Sequence, residues 1–232
     1  MGSGSGLWRR WPLLVSVVFV LLLAVGHVVV GARPPDANAS GDQVVAYFRD
    51  DGAAIRASAW LTIIALLPFG VLAAWFSHQV RGAARDVLLL GGAAYIIMQT
   101  VWQVLSVAPA LHPDQLDSRT ARTLLDVTAY VGPMLTAGVL LFAAPIAWAS
   151  LRRESSVPSW FRWLTVLLVA EQAVETVTIL GTSGFGAPGG AMNFPVGAGL
   201  FVVWVIACGV VFPADGAAPP AGVDASQKVV AA

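Results

Sequence analysis

Residues 163–181 read WLTVLLVAEQAVETVTILG, and this stretch decides the class of the protein. It is long and apolar enough to cross a bilayer, for which about 20 mostly apolar residues are needed. Near its middle, however, it carries Glu171, Gln172 and Glu175. A charged side chain at the centre of a membrane helix costs roughly 2.5–3.5 kcal/mol on insertion scales. The polar side of this helix is therefore expected to face other helices rather than lipid.

The composition indicates that most of the chain is membrane-embedded. Of the 232 residues, 57% are hydrophobic and 11% are charged, whereas soluble domains carry about 25% charged residues. The charged residues lie between long apolar runs, which is typical of a multi-pass membrane protein. The net charge is zero, so nothing indicates a nucleic-acid partner. The single cysteine, Cys208, excludes an intramolecular disulfide and a cysteine-cluster metal site.

Six apolar runs predict an all-α, six-span transmembrane helical bundle. The predicted segments are a tail at 1–10, spans at 11–31, 57–76, 87–108, 124–150, 163–181 and 194–212, and a tail at 213–232. The last segment is rich in Ala, Pro and Gly, which predicts disorder. The first run also resembles a signal peptide with a small-residue site at 30–32. Because apolar regions of signal peptides run about 7–15 residues, a retained helix is the favoured interpretation.

The polar segment 32–56 predicts a short amphipathic helix in the outer interface. Ser40 followed by Gln43 forms a capping-box pattern, which marks a helix N-terminus. Val44, Val45 and Phe48 are apolar in the stretch that follows, and they are expected on the membrane or bundle side. The partners expected are the lipid bilayer and, for this segment, a membrane protein.

The distribution of Arg and Lys predicts that both termini are cytoplasmic and that the protein lies in the cell membrane. With the N-terminus inside, eight basic residues lie on the inner side and five on the outer side, in agreement with the positive-inside rule. The inner set is Arg9, Arg10, Arg81, Arg85, Arg152, Arg153, Arg162 and Lys228, and the outer set is Arg33, Arg49, Arg56, Arg119 and Arg122.

A polar layer is predicted from the midplane to the outer surface. Glu171, Glu175, Thr178 and Thr182 are spaced i, i+4, i+7 and i+11, which places them on one helix face. Counting at about 1.5 Å per residue puts Gln99 level with Glu171, and Gln103 level with Glu175. The candidate ligand- or proton-binding residues are Glu171, Gln172, Glu175, Gln99 and Gln103, with His27 and Asp126 as outer contributors.

Two interpretations of this layer remain open. In the first, its side chains form interhelical hydrogen bonds that fix helix packing, each contributing roughly 0.6 kcal/mol. In the second, they bind a proton, a cation or a small polar ligand, as ionisable residues within a membrane usually do. Because charge is costly at this depth, at least one carboxyl group is expected to be protonated near neutral pH.

The sequence predicts no catalytic residue, no metal site and no cofactor. It contains no G-x-S-x-G, H-E-x-x-H or P-loop motif. The three histidines, His27, His78 and His112, lack metal-ligand spacing, so a zinc site that joins His27 to the two glutamates is disfavoured. The expected protein is a small carrier, sensor or accessory subunit. The alternative is a non-catalytic structural or interaction protein.

Three stretches resemble a group of multi-pass membrane proteins of high-GC bacteria. They are QVVAYFRDDGAAIRASAWL at 43–61, VPSWFRWL at 157–164 and APGGAMNFPVGAGLFVVWV at 187–205. The resemblance implies a protein of the bacterial inner membrane. It implies no activity, because none is assigned to the group.

Overall fold

The computed structural model describes residues 10–36, 38–152, 157–181 and 184–212. This part of the chain is 82% helical and contains no strand. Its seven helices are α1 (Trp11–Ala24, continued by a π-helical segment, Val25–Val30), α2 (Gly41–Asp50), α3 (Gly52–Ser77), α4 (Ala83–Val107), α5 (Ser118–Leu151), α6 (Ser159–Glu175, continued by a 3₁₀ segment, Thr176–Leu180) and α7 (a π-helical segment, Met192–Ala198, continued by Gly199–Val211).

Every helix except α2 is long and apolar enough to cross a membrane. The predicted all-α bundle with six spans and one amphipathic helix is thus confirmed, and the chain is a multi-pass membrane protein. The predicted tails at 1–10 and 213–232 lie outside the described residues, apart from Arg10.

The six spans form a closed ring in chain order. Helix α1 packs against α3, each later span packs against the next, and α7 returns to α1. The half of the ring away from α2 is filled by large side chains, here named the aromatic core. Phe69 lies 5.2 Å from Phe142, and Tyr95 lies 5.2 Å from Phe201, both measured between ring centroids. The full aromatic core consists of Phe19, Phe69, Tyr95, Phe142, Phe201 and Trp204, which are all buried.

Glycines allow α4 and α5 to cross at close range. A Cβ atom added at Gly91 would overlap the backbone nitrogen of Phe142. In the opposite direction, a Cβ atom at Gly138 would lie 2.9 Å from the backbone nitrogen of Tyr95. Small residues at such crossings are how membrane helices approach one another, because lipid provides no hydrophobic driving force between them.

The amphipathic helix α2 covers one end of the ring, here named the α2 end. Its capping box is formed, since Ser40 N donates to Gln43 Oε1 at 2.8 Å and Gln43 N donates to Ser40 Oγ at 3.3 Å. Val44 and Phe48 are buried against the bundle in a small apolar cluster with Ile55, Ala110 and Ala121. The apolar face of α2 is therefore used for packing against α3, α5 and the loop between α4 and α5.

Candidate functional site

The candidate site is built around polar residues on the face of α6 that points into the bundle, here named the inward face. This face is defined by its buried residues, which are Phe161, Thr165, Leu168, Gln172, Glu175 and Thr178. Glu171 lies at the edge of the face and is half-buried. Successive helix residues are rotated by about 100°, so a face centred between positions 168, 172 and 175 leaves position 171 to one side. The expected contribution of Thr182 lies outside the described residues.

The Glu175 carboxyl group accepts two hydrogen bonds from side-chain amides. Gln172 Nε2 donates to Glu175 Oε2 at 2.7 Å, and Asn193 Nδ2 donates to Glu175 Oε1 at 2.6 Å. Glu175 is 5% exposed, so these amides replace the water that would otherwise solvate the group. The arrangement matches an ionised carboxylate, which only accepts hydrogen bonds.

The two amides connect Glu175 to its neighbours. The second Nε2 hydrogen of Gln172 reaches Glu171 Oε2 at 2.9 Å, so one amide lies between both carboxyl groups. Asn193 Nδ2 also donates to Thr178 Oγ1 at 3.2 Å, and Thr178 Oγ1 donates to the backbone oxygen of Glu175 at 2.7 Å. The predicted pair of glutamates is therefore bridged by Gln172 and is not in direct contact through hydrogen bonds.

Helix α7 contributes two residues that were not among the predicted site residues, Asn193 and Gly197. A Cβ atom at Gly197 would overlap Glu175 Oε2 and would lie 3.2 Å from Gln172 Nε2. The Glu175 head therefore packs directly on the α7 backbone. The uncharged stretch 182–193 is rich in glycine and therefore predicted turns, whereas the π-helical segment of α7 begins at Met192. The only feature of the sequence that could have indicated a role for Asn193 is its polar amide directly before the last apolar run.

The two glutamines of α4 lie on the inward face of that helix, on the α2 side of Tyr95. Gln99 is 4% exposed and Gln103 is 5% exposed. The Oε1 atom of Gln99 is buried and has no hydrogen-bond partner among the described residues. No hydrogen bond in the described part of the chain joins these glutamines to Glu171 or Glu175. Helices α4 and α6 each pack on α5, which explains why equal depth does not place the two sets within hydrogen-bonding distance.

His27 lies in the π-helical segment of α1 and contacts three other spans. Its Nε2 atom is 3.3 Å from Thr62 Oγ1 on α3. Because Thr62 Oγ1 donates to the Ser58 carbonyl at 2.9 Å, its oxygen is available to accept a hydrogen from His27. The imidazole stacks on Trp102 of α4 at 6.4 Å and meets Phe194 of α7 at 5.9 Å, between centroids. His27 thus lies among aromatic rings next to the polar layer.

Asp126 forms an ion pair on its own helix, α5. Its carboxylate pairs with Arg122 one turn earlier on α5, with Nη2 and Oδ1 2.6 Å apart. Arg122 Nη1 also donates to the backbone oxygen of Ala39 at 3.1 Å, so this pair ties α5 to the segment before α2. The contribution of Asp126 to the polar layer stays a prediction, and the contact that the structure gives its carboxylate is the ion pair with Arg122.

Buried oxygen atoms without partners identify where the polar layer is incompletely satisfied. Among the described residues they are Gln99 Oε1, Thr136 Oγ1, Glu171 Oε1 and Asn193 Oδ1. Buried polar groups are normally hydrogen-bonded, so each such atom requires an explanation. Asn193 Oδ1 belongs to the same amide that donates to Glu175, which places an unsatisfied acceptor at the carboxyl group itself.

Comparisons with protein-family models, with curated proteins and with solved structures give no match for this chain. The chemistry of the candidate site therefore has to be inferred from the contacts of its own residues.

Proposed function

We propose that this protein is a small membrane carrier, sensor or accessory subunit whose Glu175 site binds a proton, a cation or a small polar ligand. The observation that carries the proposal is the environment of Glu175, a carboxyl group buried within the spans and contacted by two amides. Among the described residues, no Arg, Lys or His forms an ion pair with it. An unpaired carboxylate within a membrane is costly, and such groups usually take part in ion or proton binding.

Structural packing is the alternative explanation for the layer, and the choice of residue argues against it. A glutamine at position 175 would have about the same size and, with a half-turn of the Asn193 amide that now donates to Glu175, would form hydrogen bonds without introducing a charge. Helix packing alone therefore gives no reason for a second carboxyl group next to Glu171, since like charges at this spacing destabilise a helix.

We also propose that the protein is not an enzyme. The side chains around Glu175 are amides and one hydroxyl group, which are weak nucleophiles. The Thr178 hydroxyl donates its hydrogen to a backbone oxygen rather than to a base. A nucleophilic hydroxyl group requires an adjacent general base to accept its proton.

For location, we propose the cell membrane of a bacterium, with both termini cytoplasmic and the α2 end outside. The excess of Arg and Lys on the inner side supports this orientation. The exposed Trp148, Trp160 and Trp163 lie at the end away from α2 and mark a membrane interface there, since aromatic belts form on both sides of a bilayer. The candidate site is then closer to the outer surface, with the aromatic core between it and the cytoplasm.

The test compares Glu175→Gln with Glu171→Gln in purified protein reconstituted in lipid. Thermal unfolding and tryptophan fluorescence are recorded from pH 5 to pH 9, with and without added Na⁺, K⁺ or ammonium. We expect a pH- or cation-dependent change in the wild type that is lost in Glu175→Gln. We expect Glu171→Gln to retain it, because only Glu175 is enclosed by both amides. Folding free energies should differ by about 1 kcal/mol or less.

The proposal fails if the wild type shows no such dependence and Glu175→Gln matches it in every measurement. The layer would then serve helix packing alone.

A further inference from the structure

We propose that the ligand of the Glu175 site is a proton, and that Asn193 is its second binding residue, reversing its side-chain amide when the proton binds. This inference rests on the proposed function and deepens it, because it selects one ligand and assigns a role to a residue of α7. It follows from the space around the carboxyl group and from the unsatisfied oxygen of Asn193.

The space around Glu175 disfavours a metal ion or an ammonium group. Both carboxyl oxygens already accept an amide N–H, from Gln172 at 2.7 Å and from Asn193 at 2.6 Å. Cations are coordinated by oxygen atoms, and hydrogen atoms of amides directed at the same position repel them. The α7 backbone at Gly197 closes the remaining side of Oε2. A proton requires no additional volume, and the amide of Asn193 can accommodate it by turning in place.

The Asn193 amide is fully used as a donor and unused as an acceptor. Its Nδ2 group donates to Glu175 Oε1 and to Thr178 Oγ1. Its Oδ1 atom is buried without a partner among the described residues, and Asn193 as a whole is 9% exposed. An Asn amide has nearly the same shape at its oxygen and nitrogen ends, so a half-turn exchanges acceptor and donor within the same space.

Protonation supplies the donor that Asn193 Oδ1 lacks. One O–H bond forms at Glu175 Oε1, the site loses one negative charge, and no other bond breaks. The new O–H group needs an acceptor, and the Asn193 amide provides it after the half-turn. Gln172 stays in place, since its two N–H groups continue to bridge Glu175 Oε2 and Glu171 Oε2. After the half-turn Asn193 Oδ1 also faces Thr178 Oγ1, whose hydroxyl group turns from the Glu175 backbone oxygen to donate to Oδ1. The carboxylate and the carboxylic acid are thus each hydrogen-bonded, in alternate orientations of the Asn193 side chain.

Few charged groups lie around Glu175, so the charge of the site changes mainly when Glu175 binds or releases a proton. On its own helix, Glu171 is the charged neighbour that interacts with it. Helix α7 contains no charged residue between Met192 and Val211. On α5, Asp126 and Arg122 pair with each other, and Arg119 is exposed near the start of the helix.

Infrared difference spectroscopy of the full-length protein in lipid tests the inference. Spectra are recorded while the pH is lowered from 9 to 4, for the wild type, Glu175→Gln and Asn193→Leu. We expect a carboxylic-acid C=O band in the wild type that is absent in Glu175→Gln. In Asn193→Leu, which keeps the volume but removes both ends of the amide, the band should move to the frequency of a less strongly hydrogen-bonded acid. The proton affinity should change roughly tenfold.

A second measurement uses only the wild type, so it does not depend on the folding of any variant. The titration is repeated in Na⁺, K⁺ and methylammonium at constant ionic strength, and we expect the same midpoint in all three. Competition by any of these cations would overturn the assignment of a proton while leaving the proposed function standing. A band in Asn193→Leu identical to the wild-type band would overturn the role of Asn193. Absence of any Glu175 band, with wild-type behaviour of Glu175→Gln, would overturn the proposed function itself.

Discussion

The candidate site depends on Gly197, although this residue has no side chain that could bind a ligand. Its missing Cβ atom leaves the room that Glu175 Oε2 occupies against the α7 backbone. In the membrane, where water is not available to solvate a carboxyl group, such close enclosure by amides and backbone replaces solvation. The position of one glycine on α7 therefore controls the packing of an ionisable group on α6.

Gly197→Ala is expected to destabilise the protein by about 1–3 kcal/mol, because the added methyl group would displace the Glu175 head. Gly199→Ala is the matched control, since a Cβ atom there meets nothing within 4 Å. This second change should be neutral or stabilising by up to about 1 kcal/mol, as for Gly→Ala in a helix. Unfolding of both variants in lipid by denaturant or heat measures the difference. Equal stability of the two would show that the carboxyl group is not packed on α7.

At the level of single elements, helix α5 illustrates what hydropathy captures and what it omits. The apolar run predicted a span from residue 124, whereas the helix begins at Ser118. Its first turns are polar and rest against α2, which hydropathy cannot detect. The start is instead determined by Asp117, whose carboxylate accepts from Thr120 N at 2.9 Å and from Thr120 Oγ1 at 2.6 Å. Both bonds lower the pKa of Asp117, and the bond from the Thr120 hydroxyl group has the larger effect.

The Asp117 cap predicts a pH dependence at the start of α5. Because the folded protein holds the pKa of this group below its ordinary value of about 3.9, the ionised cap stabilises the helix above that pH. The contribution is lost as the pH falls through the lower, folded value. We expect amide exchange, corrected for its intrinsic rate, to accelerate at residues 118–123 below about pH 4. Asn at position 117 still accepts hydrogen bonds but does not titrate, so Asp117→Asn should show no such acid-dependent change.

For the whole molecule, the sequence predicted the class and the number of spans because these follow from the length and hydropathy of each run. It could not predict which spans are adjacent. Gln99 and Glu171 were placed at one depth, but their helices both pack on α5, and neither side chain hydrogen-bonds the other. Asn193 and Gly197 were not among the predicted site residues for the same reason, since their place at the site depends on the helix that faces them. The depth of a residue in the membrane can be predicted from its own helix, whereas the contacts of a site depend on how several helices pack together.

The orientation of the whole molecule gives a prediction that labelling can check. In a Cys208→Ala background, cysteine at Gln115 or Gly186, both at the α2 end, should react with a membrane-impermeant thiol reagent in intact cells. Cysteine at His78, in the loop between α3 and α4, or at Ala83, the first residue of α4, should react only after the membrane is permeabilised. All four positions are at least partly exposed, so burial does not explain a difference between the pairs. Labelling of the second pair in intact cells would reverse the orientation, and the Glu175 site would then lie closer to the cytoplasm, with the aromatic core between it and the outer surface.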